Sequence, residues 1–472
     1  MQKTKMIFTI GPASSSEEML RKFINIGMSA ARLNFSHGTQ ESHLKIINTI
    51  KKLRNELNTP TAILLDIKGP KIRTHNFINN EVYLMGDSEF TFRCDKEVLG
   101  NEKECSISYK ELYKDVKPGN TILVDDGLIE FEVIRVEDKK IICRVINSGI
   151  IKNHKGVNVP NVSISLPALT DKDKDDLKFA CETQVDFVAA SFIRKATDML
   201  EVRSILDKNG GNEIKIIAKI ETQEGVDNID DILSVSDGIM VARGDMGVEI
   251  PIERVPLIQK EIIKKCNKVG KIVITATQML DSMIKNSRPT RAEATDICNA
   301  VFDGTDAVML SGESASGSYP VEAAETMAKI STETEKYLDY DIMLSRLKDI
   351  TLTSFADAIS YSTVQTSNRL TVKAIIAATK SGATGRLISK YRPSCPIIAI
   401  TPSEKVLRSL NLHFGVIPVL SSNFKTTEEI LEQAKHKALE SGIAEKGDSI
   451  IIAAGMPTAM VGGTNMFKLE KL

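Results

Sequence analysis

Residues 214–251 read IKIIAKIETQEGVDNIDDILSVSDGIMVARGDMGVEIP. Two short apolar runs, Ile214 to Ile220 and Gly238 to Ala242, each lead into a polar cluster, and a helical pattern lies between them. Apolar strands alternating with helices belong to a parallel sheet covered on both faces. Side chains alternate along a strand, so Lys219 and Glu221 point to the same side, roughly 7 Å apart along the chain. Asp245 follows the next strand after an Arg-Gly pair, so ammonium and carboxylate can meet a second carboxylate from a neighbouring strand end. That arrangement suits a divalent metal beside a fixed positive charge, because Mg2+ takes hard oxygen ligands and commonly only one or two carboxylates. From these three residues alone, a surface ion pair at a strand end fits equally well.

Outward from that stretch the same unit recurs. Strand-like runs stand at Thr4 to Ile10, Ser29 to Leu33, Thr61 to Leu65, Asp186 to Ala190, Ile272 to Thr275 and Ala307 to Leu310. Amphipathic helical patterns separate most of them, as at Glu41 to Asn55, Asp173 to Glu182, Thr197 to Lys208 and Val255 to Val269. With the two strands of the opening stretch this makes eight β/α units, which close into a TIM barrel whose active site lies at the strand C-terminal ends. The polar clusters all fall there.

Between the third and fourth strands lie about a hundred residues of different character. Glu81 to Met85, Thr121 to Val124, Leu128 to Val136 and Lys140 to Ile146 are rich in Val, Ile and Phe, with turn signals at Gly119-Asn120 and Asp126-Gly127. They predict an inserted all-β domain over the barrel mouth, where a lid excludes water. From Asp341 onward a helix near Phe355 to Asn368 and strands at Lys373 to Thr379, Ile397 to Thr401, Val416 to Leu420 and Ser449 to Ala453 predict an open α/β domain. The expected division is 1–69 with 168–340 for the catalytic barrel, 70–167 for the lid, and 341–472 for a regulatory and interface domain.

Composition narrows the function class. At 472 residues the chain outgrows a single core. Its 61 basic and 62 acidic side chains leave no basic excess for nucleic acid. Seven scattered cysteines, without a Cys-x-x-Cys, fit packing in a reduced compartment. No run approaches the roughly 20 apolar residues of a spanning helix, and the opening MQKTKMIFTIGPAS is too short for a signal peptide. The expected location is the cytoplasm.

Other strand ends carry charge suited to oxyanions. Arg32 to Gly38 reads RLNFSHG, and a guanidinium fork binds phosphate oxygens bidentately. A helix-capping loop is the plainer alternative. Asp66 to Thr74, DIKGPKIRT, crowds one acid and three bases around a Gly-Pro hinge at the entry to the insertion. TATQ at Thr275 to Gln278 and SGE at Ser311 to Glu313 supply hydroxyls. Neither a P-loop nor the protein-kinase motif set occurs.

Taken together, KTKMIFTIGPAS, ARLNFSHG, DIKGPKIRT, VDDGLI, KGVNVP, SFIRKATD, IIAKIE, ARGDMGVEIP, TATQMLDSMI, RPTRAE and MLSGE resemble the pyruvate kinase family, in family order and over essentially the whole length. The resemblance implies phosphoryl transfer from phosphoenolpyruvate to ADP, giving ATP and enolpyruvate, which is then protonated to pyruvate. It implies that Lys219 stabilises the transferring group, that Glu221 and Asp245 hold Mg2+ (or Mn2+), and that the backbone at Arg243, Gly244 and Asp245 cradles the substrate carboxylate. Arg32 resembles the phosphate binder, Thr277 the threonine beside the substrate methylene, and Ser311 a member of a proton relay. Asn34, His37, Arg73, Lys155 and the lid residue Asp126 resemble nucleotide-binding positions.

Family membership also suggests a homotetramer with a sugar-phosphate or AMP effector. The segment Thr379, Lys380, Ser381, Gly382, Ala383 and Thr384 resembles the effector loop only in part, since Ala383 replaces a polar or bulkier residue; an ordinary capped helix is the alternative. Asn34, Ser36, Asp66 and the Ile67 carbonyl match the ligands of K+. Where K+-dependent members carry Glu, this chain has Lys71, as members that work without K+ do. An ammonium and K+ in one pocket would repel by about 4 kcal/mol at about 4 Å and an effective dielectric of roughly 20, so K+ is expected to be dispensable. A Mg2+-dependent barrel lyase or aldolase would use Glu221, Asp245 and Thr277 too, but the lid and the pair Arg32 and Arg73 argue against it. A non-catalytic metabolite sensor would have lost Lys219 or the metal ligands.

Overall fold

The computed structural model describes residues 2–345, 347, 354–456 and 463–472. Eight parallel strands close into a barrel in sequence order: Lys5–Ile10, Met28–Asn34, Ala62–Ile67, Phe187–Ala190, Lys215–Ile220, Gly238–Ala242, Ile272–Ala276 and Ala307–Leu310. Almost every residue in them is buried, as strands covered on both faces require. One set of alternate residues, among them Ile7, Leu64, Ile217, Ile274 and Met309, packs a core inside the barrel. The other set packs against the surrounding helices.

Each helix has a local reason to start. Ser16 accepts from the Met19 amide at the head of Glu17–Ile26, and Thr39, Thr170 and Thr290 form reciprocal capping boxes with Ser42, Asp173 and Glu293. Gly27, Gly270 and Gly304 end helices in the left-handed region, φ 113°, 69° and 94°.

The insertion folds as a seven-stranded sheet and a two-stranded ribbon. Its own core holds Phe90, Phe92 and Phe131 with ring centroids 5.0–5.3 Å apart. The last part is a five-stranded sheet flanked by helices. Four of its strands are parallel; Met466–Lys471 runs antiparallel along Ser449–Ala454 and was not foreseen, because its half-exposed edge lacks the continuous apolar run of the others.

This α/β unit docks on the strand N-terminal end of the barrel. Buried ion pairs join Arg392 to Asp306 at 2.7 Å and Arg408 to Asp186 at 2.6 Å. The Asn411 amide donates to the Ser29 carbonyl at 2.9 Å. The opposite, C-terminal end is left to the insertion. Among the described residues no helix is long and apolar enough to cross a membrane.

Candidate active site

Strand alternation builds the mouth of the barrel. Two residues beyond the inward-facing Ile7, Ala30, Leu64, Ala189, Ile217 and Met309 stand Thr9, Arg32, Asp66, Ser191, Lys219 and Ser311, one polar layer on the apolar plug. Arg32 Nε donates to Asp66 at 2.7 Å, and its Nη1 to Thr9 Oγ1 at 2.9 Å. Lys219 Nζ lies 3.3 Å from Asp66, 3.0 Å from Glu221 and 2.6 Å from Ser191 Oγ. Glu221 also accepts from the Phe192 amide at 2.6 Å.

Electrostatics follow from this crowding. Burial works against an ionised Asp66, but Lys219 and Arg32 outweigh it and hold the carboxyl below its ordinary value. Burial likewise opposes the Lys219 charge, and Asp66 with Glu221 more than restores it. Glu221 is pushed up to about 7 by burial, reinforced by Asp245 and offset in part by Lys219. Two cations and two carboxylates thus share a pocket almost closed to solvent.

Asp245 lies near enough to act on both Lys219 and Glu221, as the strand spacing leads one to expect. The carboxylates in direct ion-pair contact with Lys219, however, are Glu221 and Asp66, the latter from two strands away because the curvature of the barrel brings the third strand end across to the fifth. Asp245 sits in a short helix, Arg243–Glu249, that starts directly off the sixth strand. Its partner is Lys71, 3.2 Å away, and Lys71 is also 3.5 Å from Asp126 of the insertion. Lys71 forms no ion pair with Asp66; its ammonium pairs with two carboxylates that have no other ion pair among the described residues.

Thr277 and Gln278 carry positive φ, 67° and 56°, a strained conformation for a β-branched residue that costs of order 1–3 kcal/mol. Neighbours hold it. The Gly244 amide donates to Thr277 Oγ1 at 2.7 Å, and Arg243 Nη2 to the Thr277 carbonyl at 2.7 Å. Arg243 is itself anchored on Asp296 at 2.6 Å. Its guanidinium is therefore spent on shaping the loop, while the Gly244 amide meets the Thr277 hydroxyl.

The family comparisons agree with this geometry. A model described as "Pyruvate kinase, barrel domain" matches residues 1–324, and one described as "Pyruvate kinase, alpha/beta domain" matches 357–470. The chain belongs to the pyruvate kinase family. It is 65% identical to a pyruvate kinase of Clostridium perfringens, over 100% of both chains, and 58% identical to one of Clostridium acetobutylicum, over 100% of this chain and 99% of the other. A crystal structure of a pyruvate kinase from Cryptosporidium parvum superposes with a TM-score of 0.95 at 40% identity, covering 100% of this chain and 96% of that one. Membership makes the chain a phosphotransferase and implies phosphoenolpyruvate and ADP as substrates and the use of a divalent metal.

The donors present fit that metal. Among the described residues no group of three or more His, Cys, Asp or Glu gathers into a cage. A pair of carboxylates completed by substrate and water is the arrangement Mg2+ favours, and Asp245 is near enough to Glu221 to raise its proton affinity.

Other positions expected for pyruvate kinase chemistry lie nearby. Asn34 caps its own loop through the Ser36 amide at 3.1 Å, and His37 is exposed. Arg73 donates to the His154 carbonyl at 2.9 Å, and Lys155 pairs with Asp125 at 2.9 Å. Asp125, Asp126 and Gly127 form a left-handed turn at the tip of the insertion, φ 56°, 54° and 88°. The Ile67 carbonyl accepts from Ser191 at 2.9 Å. The Ser311 hydroxyl is buried without a partner among the described residues. In the last sheet, Thr379 Oγ1 accepts from the Gly382 amide at 2.9 Å, Thr384 shares a 2.8 Å hydrogen bond with Thr464, and Lys380 lies 5.7 Å from the Phe424 ring.

Sequence reasoning missed Ser191, Thr9, Phe192 and Asp296. Ser191 was available as the first residue of the quoted SFIRKATD and by its spacing from Ala189. Asp296 gave no signal, being one polar residue of a helix, Arg291–Asp303.

Proposed function

We propose that the barrel mouth transfers the phosphoryl group of phosphoenolpyruvate to ADP and then protonates the enolpyruvate formed. The observation that carries this reading is Lys219: a buried ammonium fixed by Asp66, Glu221 and Ser191 within 3.3 Å, beside the Arg32 guanidinium. A loose phosphoryl transfer is catalysed by positioning and charge more than by covalent chemistry. Arg32 and Lys219 bind and orient the phosphoryl oxygens as the bond from phosphorus to the enol oxygen breaks and an ADP oxygen attacks. Asp66 keeps both cations in place and, with Glu221, sustains the charge of Lys219. The backbone at Gly244 and Asp245 holds the substrate carboxylate, the Gly244 amide exchanging the Thr277 hydroxyl for a carboxylate oxygen.

Glu221 and Asp245 are the residues that would hold Mg2+, or Mn2+, which when bound supplies Lewis-acid stabilisation of the enolate. Thr277, held beside Gly244, positions the methylene carbon, and the Ser311 hydroxyl takes part in carrying the proton to it. Asn34, His37, Arg73, Lys155 and Asp126 bind the nucleotide, with Asp126 brought in by the insertion acting as lid. The division into catalytic 1–69 with 168–340, lid 70–167 and regulatory 341–472 follows from these roles.

The positive charge of Lys71 replaces the monovalent ion that Asn34, Ser36, Asp66 and Ile67 would hold in other members. The Thr379 to Thr384 loop, with its hydroxyls and the start of the helix Ala383–Lys390, takes the phosphate of a sugar phosphate or AMP. The working form is a cytoplasmic homotetramer. An ADP-dependent assay of pyruvate formation tests the reading: release of pyruvate from phosphoenolpyruvate at an equal rate without ADP would mean transfer of the phosphoryl group to water, a hydrolase rather than a kinase.

A further inference from the structure

A cavity of about 160 Å3 lies in the seam between the barrel floor and the last α/β unit. From the barrel it is lined by Lys215 and Ile272, which begin the fifth and seventh strands, and by Lys271 and Asp237. From the α/β unit come Arg386, Ser409 and His413, with Ser381 at the rim. Three cations thus face one acid. Asp237 is already 3.4 Å from Lys215, and Lys271 Nζ is spent on the carbonyls of Leu233 and Ser234.

Two groups are left over. Among the described residues the Arg386 guanidinium makes no hydrogen bond or ion pair, and neither does the His413 imidazole. His413 is only 8% exposed, so an unpartnered polar ring looks into a cationic cavity. The surroundings are short of negative charge. Burial lowers the proton affinity of Lys271, Asp237 opposes that, and Arg386 adds to it. Burial pushes His413 down to about 4, with Asp306 opposing and Arg386, Arg392 and Lys5 adding.

We infer that this seam is a binding site for a phosphate group, with Arg386 as its bidentate donor and His413 and the Ser381 hydroxyl completing the oxygen shell. A guanidinium with both edges free matches a phosphate oxygen pair. The volume suits one phosphate group with a few attached atoms, since a water takes about 30 Å3. The site is separate from the proposed effector loop: Arg386, His413 and the barrel lysines are outside that loop, although Ser381 borders both. Its occupant would bridge the α/β unit to the floor of the strands whose far ends carry Lys219, Glu221 and Thr277.

The test is calorimetric titration of inorganic phosphate into the full chain, as wild type, Arg386→Gln and Lys380→Ala. One binding component weakened at least tenfold in Arg386→Gln and kept in Lys380→Ala supports the site. A component lost in Lys380→Ala and kept in Arg386→Gln overturns it in favour of the effector loop, and isotherms unchanged by Arg386→Gln overturn it outright. His413→Gln provides a second arm should Arg386→Gln lower the thermal midpoint. Repeating the titration with glycerol 3-phosphate identifies the source: tighter binding than inorganic phosphate marks a phosphomonoester, and equal binding marks free phosphate, both at the same residues.

Discussion

Lys71 Nζ stands 3.2 Å from Asp245 Oδ1, so a residue at the hinge of the insertion neutralises a carboxylate proposed to hold the metal. The same ammonium reaches Asp126 on the insertion at 3.5 Å. One fixed positive charge therefore already sits at the mouth before any monovalent ion arrives. The expected result is near-full activity with tetramethylammonium as the only monovalent cation, and a gained K+ requirement in Lys71→Glu. A wild-type rate that drops more than about tenfold when K+ is withdrawn contradicts this role, since the screened charge of one cation is worth a few kcal/mol.

Glu221→Gln keeps the shape and the Phe192 contact but removes a charge from the proposed metal pair. Its first effect is a raised Mg2+ requirement, seen as a rightward shift of at least about tenfold in metal titrations of the rate, with fold and thermal midpoint retained. An unchanged titration curve would remove Glu221 from the metal ligands. Mn2+ binding followed directly by its magnetic resonance signal gives the same comparison without turnover.

Much of this arrangement could be read from the sequence, because barrel strands are apolar runs with short range logic. The strands at Gly238 to Ala242 and Ala307 to Leu310 were located to the residue, and alternation correctly put Lys219 and Glu221 on one side. What the sequence could not convey depends on closure. Asp66 and Lys219 are 153 positions apart by number (219 − 66) and meet only because intervening strands curve. The destination of Lys71 is set by two domains folding together, and the role of Arg243 by one aspartate on a later helix. The edge strand Met466–Lys471 lacked the burial that makes a strand legible.

Arg243 acts as a positioning residue, holding the strained Thr277 through its carbonyl. Arg243→Ala leaves that carbonyl and Asp296 without a buried partner, a loss of about 1–3 kcal/mol, readable as a lower thermal midpoint. The rate constant kcat is expected to fall more than the phosphoenolpyruvate half-saturation changes, since Thr277 rather than the phosphate site moves. Equal activity in Arg243→Ala and wild type would show that the strained loop needs no such clamp.

His413 ties stability to pH. The unfolded chain protonates this imidazole near its ordinary 6.5, the folded one only near 4. Between those values the unfolded state holds more protons, so stability falls as pH drops from 6.5 toward 4, by roughly 3 kcal/mol for this group in full. Denaturant unfolding at pH 7 and pH 5 reads the change, and His413→Gln should flatten it. A wild-type and variant difference that stays constant across that range contradicts the assignment.

The central claim is that the Lys219 ammonium stabilises the phosphoryl group in transfer. The direct measurement is the initial rate of pyruvate formation from phosphoenolpyruvate and ADP by Lys219→Met, with circular dichroism and thermal midpoint confirming an intact fold. Charge needed chiefly in the transition state is lost without loss of shape, so the prediction is a folded protein with far less than a tenth of wild-type kcat. A folded Lys219→Met that keeps more than about a tenth of kcat contradicts the account.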